Sequence, residues 1–233
     1  MYAISPADLG TEKTSAQRRR PARSAGAEGV TRRLTPGQHL FFESDRAAFV
    51  YKVQSGVLRL TRTQKDGRRQ VIAFGFPGDV IGLPCEGRHT TECDAITPVE
   101  VLPRRCDISE PSGMDPQLRA RLMEAALNEI RMLQDHFLIF GRRLASEKVA
   151  AFLVLLLDRI GEPVGELQLI RLPMNRADIA DYLGLTPETV SRSITQLRAQ
   201  NVIALDDANT MVVRDEYCLR CLAEGDAELC ACA

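Results

Sequence analysis

Hydrophobic residues change their spacing several times along this chain, and each change predicts a different kind of structure. Residues 1–33 show little periodicity and carry Arg18, Arg19, Arg20 and Arg23 around Pro21, which predicts a mobile basic tail. From residue 34 short apolar runs alternate with turn residues. Thr35-Pro36-Gly37 precedes Leu40-Phe41-Phe42, and Phe49 to Val53 ends at Gln54-Ser55-Gly56. Val57 to Thr63 then alternates Leu58 and Leu60 with polar neighbours. Lys65-Asp66-Gly67 has the composition of a hairpin turn ahead of Gln70 to Phe74, and Pro77-Gly78-Asp79 marks another turn. Strands this short and this closely spaced predict an antiparallel β-roll or barrel over residues 34–110.

Beyond the roll the period lengthens. Asp115 suits a helix N-cap and Pro116 the first helical position. Leu122, Ala126, Ile130, Leu133, Phe137, Phe140 and Leu144 recur at alternating separations of four and three. That is the seam of a coiled coil, sustained for about three heptads. It predicts a dimerisation helix over residues 111–145. The plainer alternative is a helix packed on its own roll. The length of the stripe favours a partner helix, as do charges such as Arg131 and Asp135 elsewhere on its surface. Ser146 to Ile160 predicts a second helix with Val149, Phe152, Leu153, Leu156 and Leu157 on one side. Gly161 to Gly165 breaks it, and Leu167 to Leu172 alternates like a strand.

The most informative stretch runs from Met174 to Arg198. Asn175 is a good N-cap for a short helix holding Ile179, Ala180 and Leu183, and Gly184 ends that helix with a residue that tolerates positive φ. Thr186 caps the next helix, and Pro187 sits in its first turn, where no amide donor is missed. Val190, Ile194 and Leu197 form its buried stripe. Two short helices joined by a glycine-containing turn predict a helix-turn-helix, with Ala180 small enough to let them approach. Residues near the start of the second helix would reach base edges in a major groove. Arg192 can donate two hydrogen bonds to guanine, Glu188 can accept from cytosine N4, and Ser191 can contact a neighbouring base. The plainer reading of Glu188 and Arg192 is a surface i,i+4 ion pair in which each orients the other. Pro187, Thr195, Arg176, Ser193 and Arg198 are further DNA-contact positions, the last four on phosphates, which position without specifying sequence. Val202 to Leu205, a polar turn at Asp206 to Asn209, and Met211 to Arg214 predict a hairpin wing. Residues 146–222 thus read as a winged helix-turn-helix, and the fold as α+β.

Composition changes this picture little. The chain carries 30 Lys+Arg against 31 Asp+Glu, a net charge of −1. The segment Glu147 to Glu216 is more acidic than basic, so DNA binding must rest on the placement of a few side chains. The apolar run Val149 to Leu157 is too short to span a bilayer and no secretory h-region is visible, which predicts a cytoplasmic protein that does not act at membranes. The absence of a glycine-rich phosphate loop, a nucleophile elbow and a paired-histidine motif argues against an enzyme.

Several runs here resemble the CRP/FNR family of bacterial regulators, and most of all its FixK-like branch, over roughly residues 34–217. They are Asp66-Gly67-Arg68-Arg69-Gln70-Val71, Pro77-Gly78-Asp79, Ala150-Ala151-Phe152-Leu153, Asp178-Ile-Ala-Asp-Tyr-Leu-Gly-Leu-Thr186 and Glu188-Thr-Val-Ser-Arg192. The resemblance implies a cyclic-nucleotide-binding-like roll, a long dimer helix and a winged helix. It implies a homodimer acting mainly as an activator on double-stranded DNA, with RNA polymerase as its other partner. It also implies a palindrome of TTGAT/ATCAA half-sites read by Glu188, Ser191 and Arg192. Pro187 departs from the family pattern at a position near the bases.

The sensor departs further. Residues 1–84 contain no cysteine, so the amino-terminal iron–sulfur cluster of some relatives has no ligands here. Leu83 stands where a cyclic-nucleotide receptor needs a ribose-binding carboxylate, and His89 where it needs a phosphate-binding arginine. The expectation is a regulator with no cofactor and no resident metal, serving low-oxygen programmes such as nitrogen fixation. A haem-, nitric-oxide- or redox-gated regulator remains open, as does a ligand-binding roll whose helix-turn-helix makes only protein contacts. Seven cysteines in a cytosolic chain are expected to stay reduced. Cys218, Cys221, Cys230 and Cys232 crowd the last residues (223–233 reading as a tail) and offer either four thiols for a metal or redox role or simple packing groups.

Overall fold

The computed structural model describes residues 30–106, 116–207 and 209–226. The expectations for the amino-terminal arginines and for the Asp115 cap lie outside the described residues. The amino-terminal unit contains β1 (Arg32–Leu34), β2 (His39–Phe41), β3 (Phe49–Ser55), β4 (Leu58–Thr63), β5 (Arg69–Gly75), β6 (Val80–Ile81), β7 (Glu92–Ala95) and β8 (Val99–Arg105). These form two antiparallel sheets, ordered β1-β8-β3-β6 and β2-β7-β4-β5. Leu34, Phe41, Val53, Leu58, Cys93 and Val101 fill the space between them. Arg32 and Arg33 pair with Val101 and Glu100, so the roll begins two residues earlier than the apolar pattern suggests. Two turns need glycine. Gly67 closes the β4–β5 hairpin at φ +83°, and a Cβ on Gly56 (φ +78°) would stand 2.1 Å from the Pro98 carbonyl oxygen.

Two helices follow: α1 (Pro116–Phe140) and α2 (Ala145–Ile160). Along α1 the apolar side chains of Met123, Leu127, Ile130, Leu133, Phe137 and Leu138 are exposed, Phe137 by 78%. Leu122 and Ala126 are half-buried. One seam position is corrected. Leu144 is not on α1 but is the N-cap residue of α2, because the helix stops at Phe140 and the chain turns through Gly141 to Arg143. The α2 face holding Val149, Phe152, Leu153, Leu156 and Leu157 is buried as its period requires.

The remainder is β9 (Glu162–Val164), β10 (Leu167–Arg171), α3 (Arg176–Leu183), α4 (Pro187–Ala199), β11 (Ile203–Leu205), β12 (Thr210–Val213) and α5 (Glu216–Glu224). The strands form a third antiparallel sheet, ordered β11-β12-β10-β9. β9 lies where the sequence shows only a helix break; all three of its residues are exposed, so no apolar pattern marks it.

The second core crosses the molecule. Val57, Val71, Phe74 and Phe76 of the roll share one buried cluster with Phe152, Leu156, Ile179, Tyr182, Ile194 and Leu219. One face of the β4–β5 hairpin therefore packs on the carboxy-terminal helices. Among the described residues no helix is long and apolar enough to cross a membrane.

Candidate nucleic-acid interface

The helix pair α3–α4 is built by local signals. The Asn175 side chain accepts the Asp178 amide at 2.8 Å, and Gly184 ends α3 in the left-handed region at φ +65°. The Thr186 hydroxyl accepts the Thr189 amide at 3.2 Å, and Pro187 opens α4. Val190, Ile194 and Leu197 are buried, and Ala180 is wholly enclosed. The opposite face of α4 stands in solvent.

On that free face Pro187, Glu188, Ser191, Arg192, Thr195 and Arg198 are all exposed. The Ser191 hydroxyl donates to the Pro187 carbonyl and the Thr195 hydroxyl to the Ser191 carbonyl, both at 2.9 Å. Each hydroxyl has thus committed its proton and presents an acceptor outward. The Glu188 carboxyl is held below the usual carboxylate range, first by its own amide, then by the Thr186 hydroxyl, and last by the Arg192 charge. The Glu188–Arg192 surface ion pair of the plainer reading does not close among the described residues; Glu188 turns instead to the start of its own helix. Both side chains are exposed.

Two phosphate positions fare differently. Ser193 is only 5% exposed and belongs to the inner face of α4, so it cannot serve as a phosphate contact. Its separation of three from Val190 and four from Leu197 places it on the apolar stripe, a signal present in the sequence. Arg176 is half-buried at the first turn of α3, and burial pulls its guanidinium below the ordinary arginine value. In the wing, the Asp207 carboxylate accepts the amides of Asn209 and Thr210 at 2.6 and 2.7 Å, which shapes the turn between β11 and β12.

At the roll, Leu83 and His89 both line a cavity of about 920 Å³ that extends to α1 and α2. His89 is 5% exposed, stacks on Phe41 at 3.8 Å between ring centroids, and has no partner at Nδ1. Burial pushes its imidazole below the ordinary histidine value, opposed by Asp45. A neutral ring and an apolar Leu83 make a poor seat for a cyclic phosphate. His136, another lone histidine, is occupied: Nε2 lies 2.7 Å from the Tyr182 carbonyl oxygen and the ring stacks on Tyr182 at 3.9 Å.

Cys218 and Cys221 are buried on α5, which packs on α2. Cys221 is free, whereas Cys218 is disulfide-bonded, contrary to the expectation that every cysteine stays reduced. Cys230 and Cys232 lie outside the described residues. Among the described residues no three metal-binding side chains converge.

The pattern of apolar positions gives no sign of a charged network between roll and helices. Arg59 of β4 holds Asp94 of β7 through two bonds, at 2.7 and 3.1 Å, and also the Asp178 carboxylate of α3. Arg69 of β5 reaches Asp178 at 3.0 Å and Asp181 at 3.4 Å.

With this geometry in view, residues 147–222 match the Crp-like helix-turn-helix domain and residues 31–103 the cyclic nucleotide-binding domain. The nitrogen fixation regulation protein FixK of Bradyrhizobium diazoefficiens is 43% identical over 177 residues, covering 74% of this chain and 73% of that protein. The chain belongs to the CRP/FNR family of transcription regulators. The FixK of Rhizobium meliloti is 41% identical over 190 residues, 80% of this chain and 84% of that one. The solved structure of FixK2 from Bradyrhizobium japonicum superposes with a TM-score of 0.74 at 35% identity, over 83% of this chain and 96% of that chain. The regulator is therefore a DNA-binding protein rather than an enzyme, and its family acts as dimers.

Proposed function

We propose that the regulator is a homodimeric activator of FNR-type palindromes with TTGAT/ATCAA half-sites and needs no cyclic nucleotide to bind them. The carrying observation is the amino-terminal face of α4, where Glu188, Ser191 and Arg192 stand free in solvent on a helix fixed by a cap and a proline. Arg192 spans guanine O6 and N7, Glu188 accepts from the cytosine N4 of the same pair, and the Ser191 oxygen accepts from an adjacent amino group. Thr195, Arg198 and Arg176 seat the helix on phosphates. The exposed apolar side of α1 supports the two-fold partner. RNA polymerase is the second partner and the cytoplasm the site of action. The names of the FixK relatives support a role in nitrogen fixation and its low-oxygen setting.

The test is fluorescence anisotropy of the purified protein on the palindrome, without effector and at fixed salt. The control duplex has the half-site guanines replaced. Preference for the palindrome that disappears in Arg192→Ala supports the reading, and equal affinity for both duplexes sinks it. A second reading, an effector-gated regulator, is favoured by the 920 Å³ cavity beside the unpartnered His89 nitrogen. It predicts that binding by the purified protein depends on an added small molecule.

A further inference from the structure

Asp178 lies inside the molecule, its side chain 2% exposed, at the first turn of α3. A carboxylate removed from water needs compensating charge, and both cations that supply it come from the roll rather than from the helix-turn-helix. Arg59 is itself fixed, because Asp94 grips the other side of its guanidinium. Burial depresses the Arg59 charge, but the Asp94 and Asp178 carboxylates outweigh burial and leave it above the ordinary arginine value. Arg69 adds a second cation and spans to Asp181 one turn further along α3. Gln70 donates its side-chain amide to the Asp181 carbonyl, so backbone as well as side chain is held.

These bonds can all be made in only one placement of α3 on the β4–β5 hairpin. A shift of about an ångström would strand a buried charge, which is costly whichever partner is lost. We infer that Asp178, with Arg59 and Arg69, is a positioning site that sets the angle at which the reading helix α4 leaves the roll. Two copies related by a two-fold axis then present their α4 helices at one fixed separation. Any error in the angle enters the half-site spacing twice. Helix-turn-helix dimers need recognition helices about one DNA turn apart, roughly 34 Å, so this angle decides which palindromes can be bridged.

The inference rests on the palindrome reading above, and its test keeps the two separate. Asp178→Asn and Arg69→Gln would be measured by anisotropy, with thermal melting recorded alongside. The duplexes are the palindrome, the same half-sites with one base pair added or removed between them, and the guanine-replaced control. Wild-type protein is expected to prefer one spacing. Asp178→Asn should lose roughly tenfold on the preferred spacing, within the range of coupling changes for such contacts. It should gain relative to wild type on the altered ones, while control binding stays constant. Arg69→Gln, at a side chain 39% exposed, should flatten the same profile by a smaller factor and still fold. Lower melting temperature with an unchanged spacing profile would make the network merely structural and overturn the inference. Tighter binding to the preferred spacing would overturn it too, because the network would then be a restraint. If wild-type protein fails to prefer the palindrome over the control, it is the assignment of the base-reading residues that falls.

Discussion

Gly184 provides a sharp test of how α1 meets the helix-turn-helix. Replacing it with Ala perturbs two things at once. The residue sits at φ +65°, where a side chain costs about 1–2 kcal/mol. The new methyl would also lie 2.5 Å from Cε2 and 2.9 Å from Cζ of Phe140, at the end of α1. That ring is 49% exposed and carries the Lys148 ammonium 4.6 Å above its centroid. It can move, at a cost of about 1 kcal/mol, the low end for overpacking. Gly184→Ala should therefore destabilise the fold by about 2–3 kcal/mol. Equilibrium urea unfolding of wild type, Gly184→Ala, Phe140→Ala and the double variant separates the two parts. The cycle should show a coupling of about 1 kcal/mol, with the backbone part surviving in the double variant. A loss below about 0.5 kcal/mol in Gly184→Ala, or strict additivity in the cycle, would refute the described contact.

Three further outcomes are expected. Ile130→Asp puts a charge on the exposed apolar side of α1, where Ile130 is 52% exposed, and should convert dimer to monomer by light scattering with little change in circular dichroism. Thr186→Ala removes the α4 cap and should cost about 1 kcal/mol in urea unfolding, because the Thr189 amide loses its acceptor. His89 and His136 are both held below the ordinary histidine value of 6.5 by burial, so the folded state resists protons that the unfolded state accepts. Their contribution to stability is complete above about pH 6.5 and is lost as pH falls toward the lowered folded values. The drop in Tm between about pH 7.5 and about pH 5.5 should shrink in His89→Gln/His136→Gln; an equal drop would show that carboxylates carry it.

The helix-turn-helix is legible in the chain because its signals are local. Asn175, Gly184, Thr186 and Pro187 each satisfy a backbone demand within three or four residues, and the structure finds each where spacing puts it. The turns of the roll are legible for the same reason. Leu144 shows the limit of periodicity: seven-residue spacing runs on past Gly141, though the helix does not. Ser193 shows the opposite, a polar residue on an apolar stripe whose burial follows from position rather than residue type. The joint between roll and helices is the least legible part. An apolar face on β5 and another on α2 and α3 announce that something covers them, but not that they cover each other. Nothing in the sequence separates the buried carboxylate of Asp178 from the half-exposed one of Asp181 three residues on.

The core shared by Val71, Phe74, Phe76 and the carboxy-terminal helices also constrains how the chain is made. Phe76 is synthesised roughly seventy residues before Val149, a delay of several seconds at about 5–20 residues per second. During that interval the outer face of the β4–β5 hairpin has no cover, even after β7 and β8 have been made and the inner core of the roll can close. The nascent roll is thus a sticky half-product, and its apolar face is a natural holding surface for a chaperone until α2 and α3 arrive. A roll expressed without the carboxy-terminal helices would carry the same bare face permanently.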